Sequence, residues 1–212
     1  MKRCVIFCAG GFDGLLAPIE ADDLVIAADG GLAHVQALQI QPDVILGDFD
    51  SLGYVPESAT VFPVEKDDTD AMLAVRHGLS VGCDKFLIYG GLEGPRLDHT
   101  LANFQTLQFL ADRGTEGYLF GKDSIVTVIS DGALHFPAES DGILSVFCMG
   151  ADATGVTIEG AKYPLKDGTL TASFPLGVSN RFVGKPVAVR VERGSLLVLY
   201  PRQCGILWKT DF

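Results

Sequence analysis

The hydrophobic rhythm of this chain changes near Ser124, and that change constrains the fold more than any single motif. Before it, short apolar runs at residues 4–8, 24–28, 44–46, 60–64, 86–89 and 118–120 read as buried strands. Ala71, Leu73, Ala74, Val75 and Leu79 suit a helix, with caps offered by Asp67-Asp68-Thr69, and Leu97, Leu101, Phe104, Leu107 and Leu110 also recur at helical spacing. Strands alternating with helices predict a mostly parallel, doubly wound sheet. Beyond Ser124, residues such as Val126, Val128, Leu134, Phe136, Leu144, Val146 and Phe147 lie in short β-rich runs. Turn signals separate them: Ser130-Asp131-Gly132, Ser140-Asp141-Gly142, Lys166-Asp167-Gly168 and Glu192-Arg193-Gly194. Residues 187–191 and 195–200 read as the arms of a hairpin. The expected fold class is α/β plus all-β: an α/β domain over residues 1–124 and an antiparallel β-sandwich over 125–212, with the boundary near 121–130.

Charge narrows the partners. The 212 residues carry 16 Lys+Arg against 27 Asp+Glu, a net charge of −11. Gripping a nucleic-acid backbone needs clustered cations, so no nucleic-acid partner is expected. A polyphosphate would need a divalent metal held by carboxylates, whereas a cationic small substrate would find the field favourable. The five cysteines are odd in number and form no Cys-x-x-Cys, so neither a disulfide framework nor a zinc site is signalled. Cys4 and Cys8 read as core, and a reducing compartment is expected. The apolar stretch after Lys2-Arg3 ends within six residues, too short for a signal-peptide core. No apolar run reaches the roughly 18 residues of a membrane span, which makes a cytoplasmic protein without a membrane partner the expectation.

Three acidic or glycine-rich segments follow predicted strands. Gly47-Asp48-Phe49-Asp50-Ser51 comes directly after Val44-Ile45-Leu46, and on extended backbone Asp48 and Asp50 would point the same way. Adjacent carboxylates at a strand's carboxyl end suit a cation, although a polar turn explains the same residues. In Lys66-Asp67-Asp68-Thr69-Asp70, Asp67 and Asp70 would share a face at a helix start; first-turn capping is the competing explanation. Together Asp48, Asp50, Asp67 and Asp70 form the hard oxygen set expected of Mg²⁺. The third segment, residues 90–99, holds Gly90-Gly91, Arg96, Asp98 and His99. Its glycines would let backbone N–H groups approach phosphate, and Arg96 adds a fork of donors. Asp29-Gly30-Gly31 repeats the strand, Asp-Gly-Gly, helix theme. His34, His77 and His135 sit in helix or strand patterns, and no Ser-His-Asp or Cys-His arrangement is readable, so nucleophilic catalysis is not supported.

Taken in order, these motifs resemble the thiamine pyrophosphokinase family: Ala28-Asp29-Gly30-Gly31, Gly47-Asp48-Phe49-Asp50-Ser51, Asp67-Asp68-Thr69-Asp70, Gly90-Gly91 through Arg96-Leu97-Asp98-His99 to Asn103, and Gly177-Val178-Ser179-Asn180. Gly94-Pro95-Arg96 departs from the Gly-Gly-Arg usual there, and Pro95 lacks an N–H for phosphate. Cys8-Ala9-Gly10-Gly11 stands where Asn-Gly is frequent. The resemblance implies a Rossmann-like first domain, a β-sandwich second domain and a homodimer with active sites near the subunit interface. It also implies Mg²⁺-dependent transfer of pyrophosphate from ATP to the thiamine hydroxyl, giving thiamine diphosphate and AMP. Asp48, Asp50 and Asp70 then resemble the metal-site carboxylates, with Asp67 a fourth. Arg96, Asp98 and Asn103 resemble nucleotide-side residues, joined by Asp29, Gly30, Gly31, Gly90, Gly91 and His99. Asp48, Asp50, Asp70, Arg96 and Asp98 make up the implied catalytic set, with the general base left open. Tyr163, Ser179 and Asn180 resemble the thiamine side, and Tyr163 could stack on a cationic ring. Trp208 reads as a core or dimer-interface anchor. Two alternatives remain at this point: a pyrophosphokinase acting on a hydroxymethyl-pterin, and a non-catalytic nucleotide- or thiamine-binding regulator.

Overall fold

The computed structural model describes residues 2–49, 54–56, 59–61, 67–138 and 140–210. Contacts divide the chain into two units, one of residues 1–106 with 119–122 and the other of residues 107–118 with 123–212.

The first unit is built on parallel strands β1 (Arg3–Phe7), β2 (Leu24–Ala28), β3 (Val44–Gly47), β4 (Thr60–Val61) and β5 (Lys85–Tyr89) in the order β4-β3-β2-β1-β5. Cys4, Ile6, Phe7, Ile26, Ala27 and Phe86 are fully buried, the continuous burial of strands covered on both faces. Of the run at 60–64 read as a buried strand, Thr60 and Val61 form β4 but are exposed at the sheet edge rather than buried, and the rest lies outside the described residues. Helix α1 (Leu32–Ala37) follows β2, α2 (Asp70–Ser80) leads into β5, and α3 (Leu97–Ala111) follows β5. Ala71, Ala74, Val75 and Gly78 of α2 recur at i, i+3, i+4 and i+7 and are all buried, so α2 packs on β1, β2 and β3. Thr69 caps it, its hydroxyl accepting from Met72 N–H at 3.2 Å. On α3 only part of the predicted apolar set is core: Leu107 and Leu110 are buried, whereas Leu97 and Leu101 near its start are exposed.

Because β1 to β3 build outward on one side and β5 returns to the other side of β1, the winding reverses between β1 and β5. Ligands of open α/β sheets bind outside the strand carboxyl ends at such a switch point. The loops there are tied together: Gly10 N–H donates to Gly90 O at 2.9 Å and Gly11 N–H to Glu93 O at 2.8 Å.

Strand β6 (Glu116–Phe120) contributes Leu119 and Phe120 to the first unit and its first three residues to the second. The second unit is otherwise mostly β, with β7 (Ser124–Phe136), β8 (Ile143–Glu159), β9 (Leu165–Leu170), β10 (Asn180–Arg181) and β11 (Val187–Pro201). These strands pair antiparallel: β11 lies between β7 and β8, and β9 and β10 also pair with β8. Phe136 packs against Phe182 and Tyr200, each ring centroid 5.1 Å away. Trp208 meets Tyr118 edge-on at 5.3 Å, and the Tyr118 hydroxyl donates to Leu207 O at 2.6 Å.

Three of the predicted turns are not reversals: Lys166-Asp167-Gly168 lies within β9, with Asp167 at φ 48° and a register shift against β8, and the other two lie in β7 and β11. Residues 187–191 and 195–200 are not hairpin arms but one strand, β11, pairing throughout with β7. The register shift between Val191 and Ser195 absorbs Glu192-Arg193-Gly194, with Gly194 at φ 95°, as a bulge. Opposite it, Ser130-Asp131-Gly132 stays inside β7 with Asp131 at φ 45°. Paired bulges bend long strands while using the residue types that make turns, which is why the sequence pattern reads as a hairpin. Among the described residues, no helix is long and apolar enough to cross a membrane.

Candidate active site

The strand register brings acidic residues together. Ala28 at the end of β2 lies opposite Leu46 of β3, so the next residues, Asp29 and Gly47, are also side by side. A Cβ on Gly47, whose φ is 150°, would lie 3.0 Å from Asp29 Cα and 3.1 Å from its Cβ. Glycine is therefore what lets Asp29 stand beside the end of β3. Asp48 follows, and Phe49, only 3% exposed at φ 59°, turns its ring into the core. Asp70 opens α2 one residue after its cap. The result is that carboxylate oxygens of Asp29, Asp48 and Asp70 all lie within 4.8 Å of one another.

Three carboxylates so placed repel strongly. At that separation each ionised pair costs on the order of 3 kcal/mol at an effective dielectric near 20. Three hard oxygen donors converging at strand ends, one of them on the buried Asp29, fit a Mg²⁺-type cation, which relieves that repulsion. Asp70 also acts on its surroundings. Burial, with the Asp70 charge adding to it, pushes the Cys8 thiol up to about 12, so Cys8 remains a neutral thiol beside the cluster.

Of the metal set read from the sequence, Asp48 and Asp70 are in this group. Asp50 lies outside the described residues. Asp67 is exposed and precedes the cap of α2, so it does not share a helical face with Asp70 and is not in the cluster. The left-handed backbone at Phe49 also ends the extended geometry expected to align Asp48 with Asp50. Asp29 was read from the sequence with the nucleotide residues. The signal for its place in the cluster is present: an Asp directly after a strand that neighbours the strand before Asp48.

The nucleotide-side candidates divide into structural and accessible groups. A Cβ on Gly31 would fall 1.9 Å from Phe7 O, so this glycine permits the short 3-10 turn Asp29–Gly31 to pack on β1. Gly30 precedes it in the same turn. Gly90, at φ 69°, carries the carbonyl that accepts from Gly10. Buried Asn103 donates from Nδ2 to Gly91 O at 2.6 Å and so fixes the loop from within. Arg96 and Asp98 form an exposed fork, Nη2 to Oδ2 at 2.6 Å and Nε to Oδ1 at 3.2 Å, next to exposed His99. The Arg96 hydrogen bond holds the Asp98 carboxyl below its ordinary value, which makes Asp98 a persistent anion and a weak base.

In the second unit, Tyr163 is 59% exposed whereas Asn180 is 4% exposed. Asn180 Oδ1 accepts from Tyr163 N–H at 2.9 Å and its Nδ2 donates to Tyr163 O at 2.7 Å. Ser179, at φ 61°, donates its N–H to Ser145 Oγ at 3.0 Å.

A mixed α/β unit with a carboxylate cluster at its strand ends, joined in sequence to a mostly β unit, defines the class: a two-part protein whose clustered carboxylates could hold a hard metal ion. Known proteins make this specific. Residues 17–119 match the family model described as thiamin pyrophosphokinase, catalytic domain, and residues 133–196 match that described as thiamin pyrophosphokinase, vitamin B1 binding domain. With both parts matched in order, the chain belongs to the thiamin pyrophosphokinase family. It is 26% identical over 210 residues to thiamine pyrophosphokinase of Bacillus subtilis (strain 168), covering 93% of this chain and 98% of that one. A crystal structure of thiamine pyrophosphokinase from Bacillus subtilis superposes with a TM-score of 0.79 at 24% identity, over 95% of this chain and 99% of the other. Thiamin pyrophosphokinase from Candida albicans gives 0.74 at 14% identity, over 94% and 88%.

Proposed function

We propose that this protein is a Mg²⁺-dependent thiamine pyrophosphokinase, transferring the diphosphoryl group of ATP to the hydroxyethyl oxygen of thiamine. The observation that carries this reading is the convergence of Asp29, Asp48 and Asp70 in a chain matched by both parts of the family. In the reaction the thiamine oxygen forms a bond to the β-phosphorus of ATP and loses its proton. The bond from that phosphorus to the α–β bridging oxygen breaks, and the electron pair leaves with AMP. Such transfers need positioning and charge stabilisation more than covalent chemistry.

In this reading Asp48 and Asp70, with Asp50 and Asp29, hold the metal, and Asp67 contributes from outside the cluster. The ion, when bound, supplies positive charge against the phosphate oxygens. Asp29 combines two demands: it is next to the turn of Gly30 and Gly31, and its carboxylate faces Asp48 and Asp70. Gly90 and Gly91 present the loop to phosphate, Asn103 holds that loop, and Arg96 donates to phosphate oxygens. Asp98 keeps the Arg96 guanidinium oriented, and exposed His99 lies beside the nucleotide. The depressed Asp98 value makes it a poor acceptor for the alcohol proton, and a loose transition state needs no strong base. Tyr163, Ser179 and Asn180 serve thiamine. The finer fold labels, Rossmann-like and β-sandwich, belong to the same reading. So does a homodimer with sites near its interface, supported by the exposed apolar side chains Phe174, Leu176, Val178 and Val183 on the second unit.

The test is product analysis with ATP, Mg²⁺ and either thiamine or a hydroxymethyl-pterin. AMP and thiamine diphosphate in equal amounts are expected with thiamine. ADP in place of AMP, or turnover only with the pterin, overturns the assignment, and ATP binding without any product identifies a regulator.

A further inference from the structure

Two cysteines that the proposed chemistry does not use meet at the end of α2 far from Asp70. Cys4 lies in β1 opposite Phe86 of β5, and Cys83 lies in the short connection between α2 and β5. Hydrogen bonding between the two strands continues past the start of β5. Asp84 N–H donates to Lys2 O at 3.0 Å, and the Cys83 thiol donates to Arg3 O at 3.9 Å. Gly78 of α2 supplies a second meeting point. Cys83 N–H donates to Gly78 O at 3.0 Å, and a Cβ on Gly78 would stand 3.0 Å from Cys4 Sγ. One glycine thus sits against both cysteines, and the Cys4 thiol donates a hydrogen bond to the Cys83 sulfur.

Both residues are buried, but Cys83 directly follows the exposed turn Val81-Gly82. Gly82 has φ 84°, and a Cβ there would meet nothing within 4 Å, so only a thin turn separates the pair from solvent. The pair is also chemically asymmetric. The hydrogen bond from Cys4, helped by the Lys2 charge, lowers the Cys83 thiol against burial and the charges of Asp84 and Asp23. Its partner Cys4 is raised by that same bond and by burial. Burial raises Cys8, Cys148 and Cys204 as well, so of the five cysteines only Cys83 is biased toward thiolate. Thiolate is the form that attacks an oxidant, and a second thiol in contact is what resolves the product.

We propose that Cys4 and Cys83 are a redox pair: hydrogen peroxide converts them to a disulfide that ties β1 to the turn after α2, and a small thiol restores them. In the first step the Cys83 thiolate attacks one peroxide oxygen. The O–O bond breaks, leaving a Cys83 sulfenic acid and hydroxide. In the second step the Cys4 sulfur gives up its proton and attacks the Cys83 sulfur. The S–O bond breaks and water leaves. The two thiols lose two hydrogens, and the peroxide is reduced to two waters. Two equivalents of a small thiol reverse the change by exchange and end as their own disulfide. The bond closes a loop over residues 4–83, nearly the whole first unit, and so constrains the unfolded chain far more than the folded one.

The test is treatment of the reduced protein with hydrogen peroxide, followed by alkylation of free thiols and peptide mapping by mass spectrometry without reduction. Wild type, Cys4→Ser and Cys83→Ser are compared. The wild type is expected to give the cross-linked Cys4 and Cys83 peptides, two hydrogens lighter than the free peptides together, and to lose them on adding dithiothreitol. Its thermal midpoint rises by about 5 °C or more on oxidation, the scale of a cross-link that closes a long loop, and neither variant shows the rise. With dimedone present, Cys4→Ser is labelled at Cys83, because its sulfenic acid has no thiol to resolve it, and Cys83→Ser is not labelled at Cys4. The proposal is overturned by a folded wild type that forms no cross-link, or that links through Cys8, Cys148 or Cys204 instead. Dimedone labelling of Cys4 in Cys83→Ser overturns the order of attack, and an oxidised midpoint that does not rise overturns the tie. Should a variant not fold, the wild-type peptide map and midpoint decide by themselves, since neither needs a substitution.

Discussion

Asp29 is a buried acidic residue at φ 48°, a conformation that Asp and Asn adopt far more readily than most side chains. It faces Asp48 and Asp70 because Gly47 has no side chain to block it. Each carboxylate is placed by the backbone that carries it: a strand end for Asp29 and Asp48, a capped helix start for Asp70. Replacing a single charge should therefore spare the fold and damage the chemistry. Asp48→Asn and Asp70→Asn are each expected to lower kcat by about 100-fold or more, the scale seen when a preorganised charge-stabilising group is lost. Thermal midpoints within a few degrees of the wild type would accompany that loss. Near-normal turnover in both variants would remove the metal centre from the reaction.

Helix α2 links packing to chemistry, since the turn that packs Ala71 and Ala74 on the sheet also carries Asp70. Thr69→Ala removes the cap bond to Met72 N–H and should cost about 1 kcal/mol in urea unfolding. It should also weaken metal-dependent activity, because the fraying turn is the one bearing Asp70; an unchanged unfolding midpoint would contradict the cap. The sequence shows this helix well: its apolar spacing, its cap and its first-turn acid are all local signals. Strands β1, β2, β3 and β5 of the first unit were legible for the same reason, as continuous apolar runs, whereas the short exposed β4 was not. Other features were not legible because they depend on pairing. Nothing local distinguishes the bulge at Glu192-Arg193-Gly194 from a hairpin turn; the choice is made by β7 and β8 pairing along both halves of β11. Asp29 joins Asp48 and Asp70 only through the β2–β3 register. Asn180 enters from the sequence only through the family resemblance, and only the fold shows its amide hydrogen-bonded to the Tyr163 backbone.

Across the whole chain, the negative charge is uneven. Residues 1–124 carry 8 Lys+Arg against 19 Asp+Glu, while residues 125–212 carry 8 against 8. The acidic part is also the part matched by the family's catalytic-domain model, so its field favours a divalent cation and, on the proposed function, would oppose free ATP more than its metal complex. Buried thiol and phenol groups are expected to lower stability at alkaline pH. Burial raises the Cys8 thiol from 9.0 to about 12 and pushes the Tyr118 and Tyr200 hydroxyls up as well. The folded chain thus keeps protons that the unfolded chain releases, and stability that is complete below about pH 9 is lost as pH rises toward 12. The slope is at most about 1.4 kcal/mol per pH unit for each such group. Thermal unfolding from pH 8 to 11 should show a falling midpoint, with a shallower fall in Cys8→Ala. A midpoint flat to pH 11 would mean that these groups are not held neutral by the fold.

On the proposed function, the carboxylates that follow β2 and β3 and open α2 form one metal-bearing centre. The most direct measurement is AMP formation as a function of Mg²⁺ concentration in wild type and in Asp29→Asn, a substitution that suits the left-handed backbone at this position. Loss of one of three converging carboxylates should raise the Mg²⁺ concentration needed for half-maximal rate by about tenfold or more, the scale of losing a ligand-supporting group. An unchanged Mg²⁺ dependence in a folded Asp29→Asn protein would contradict the shared centre.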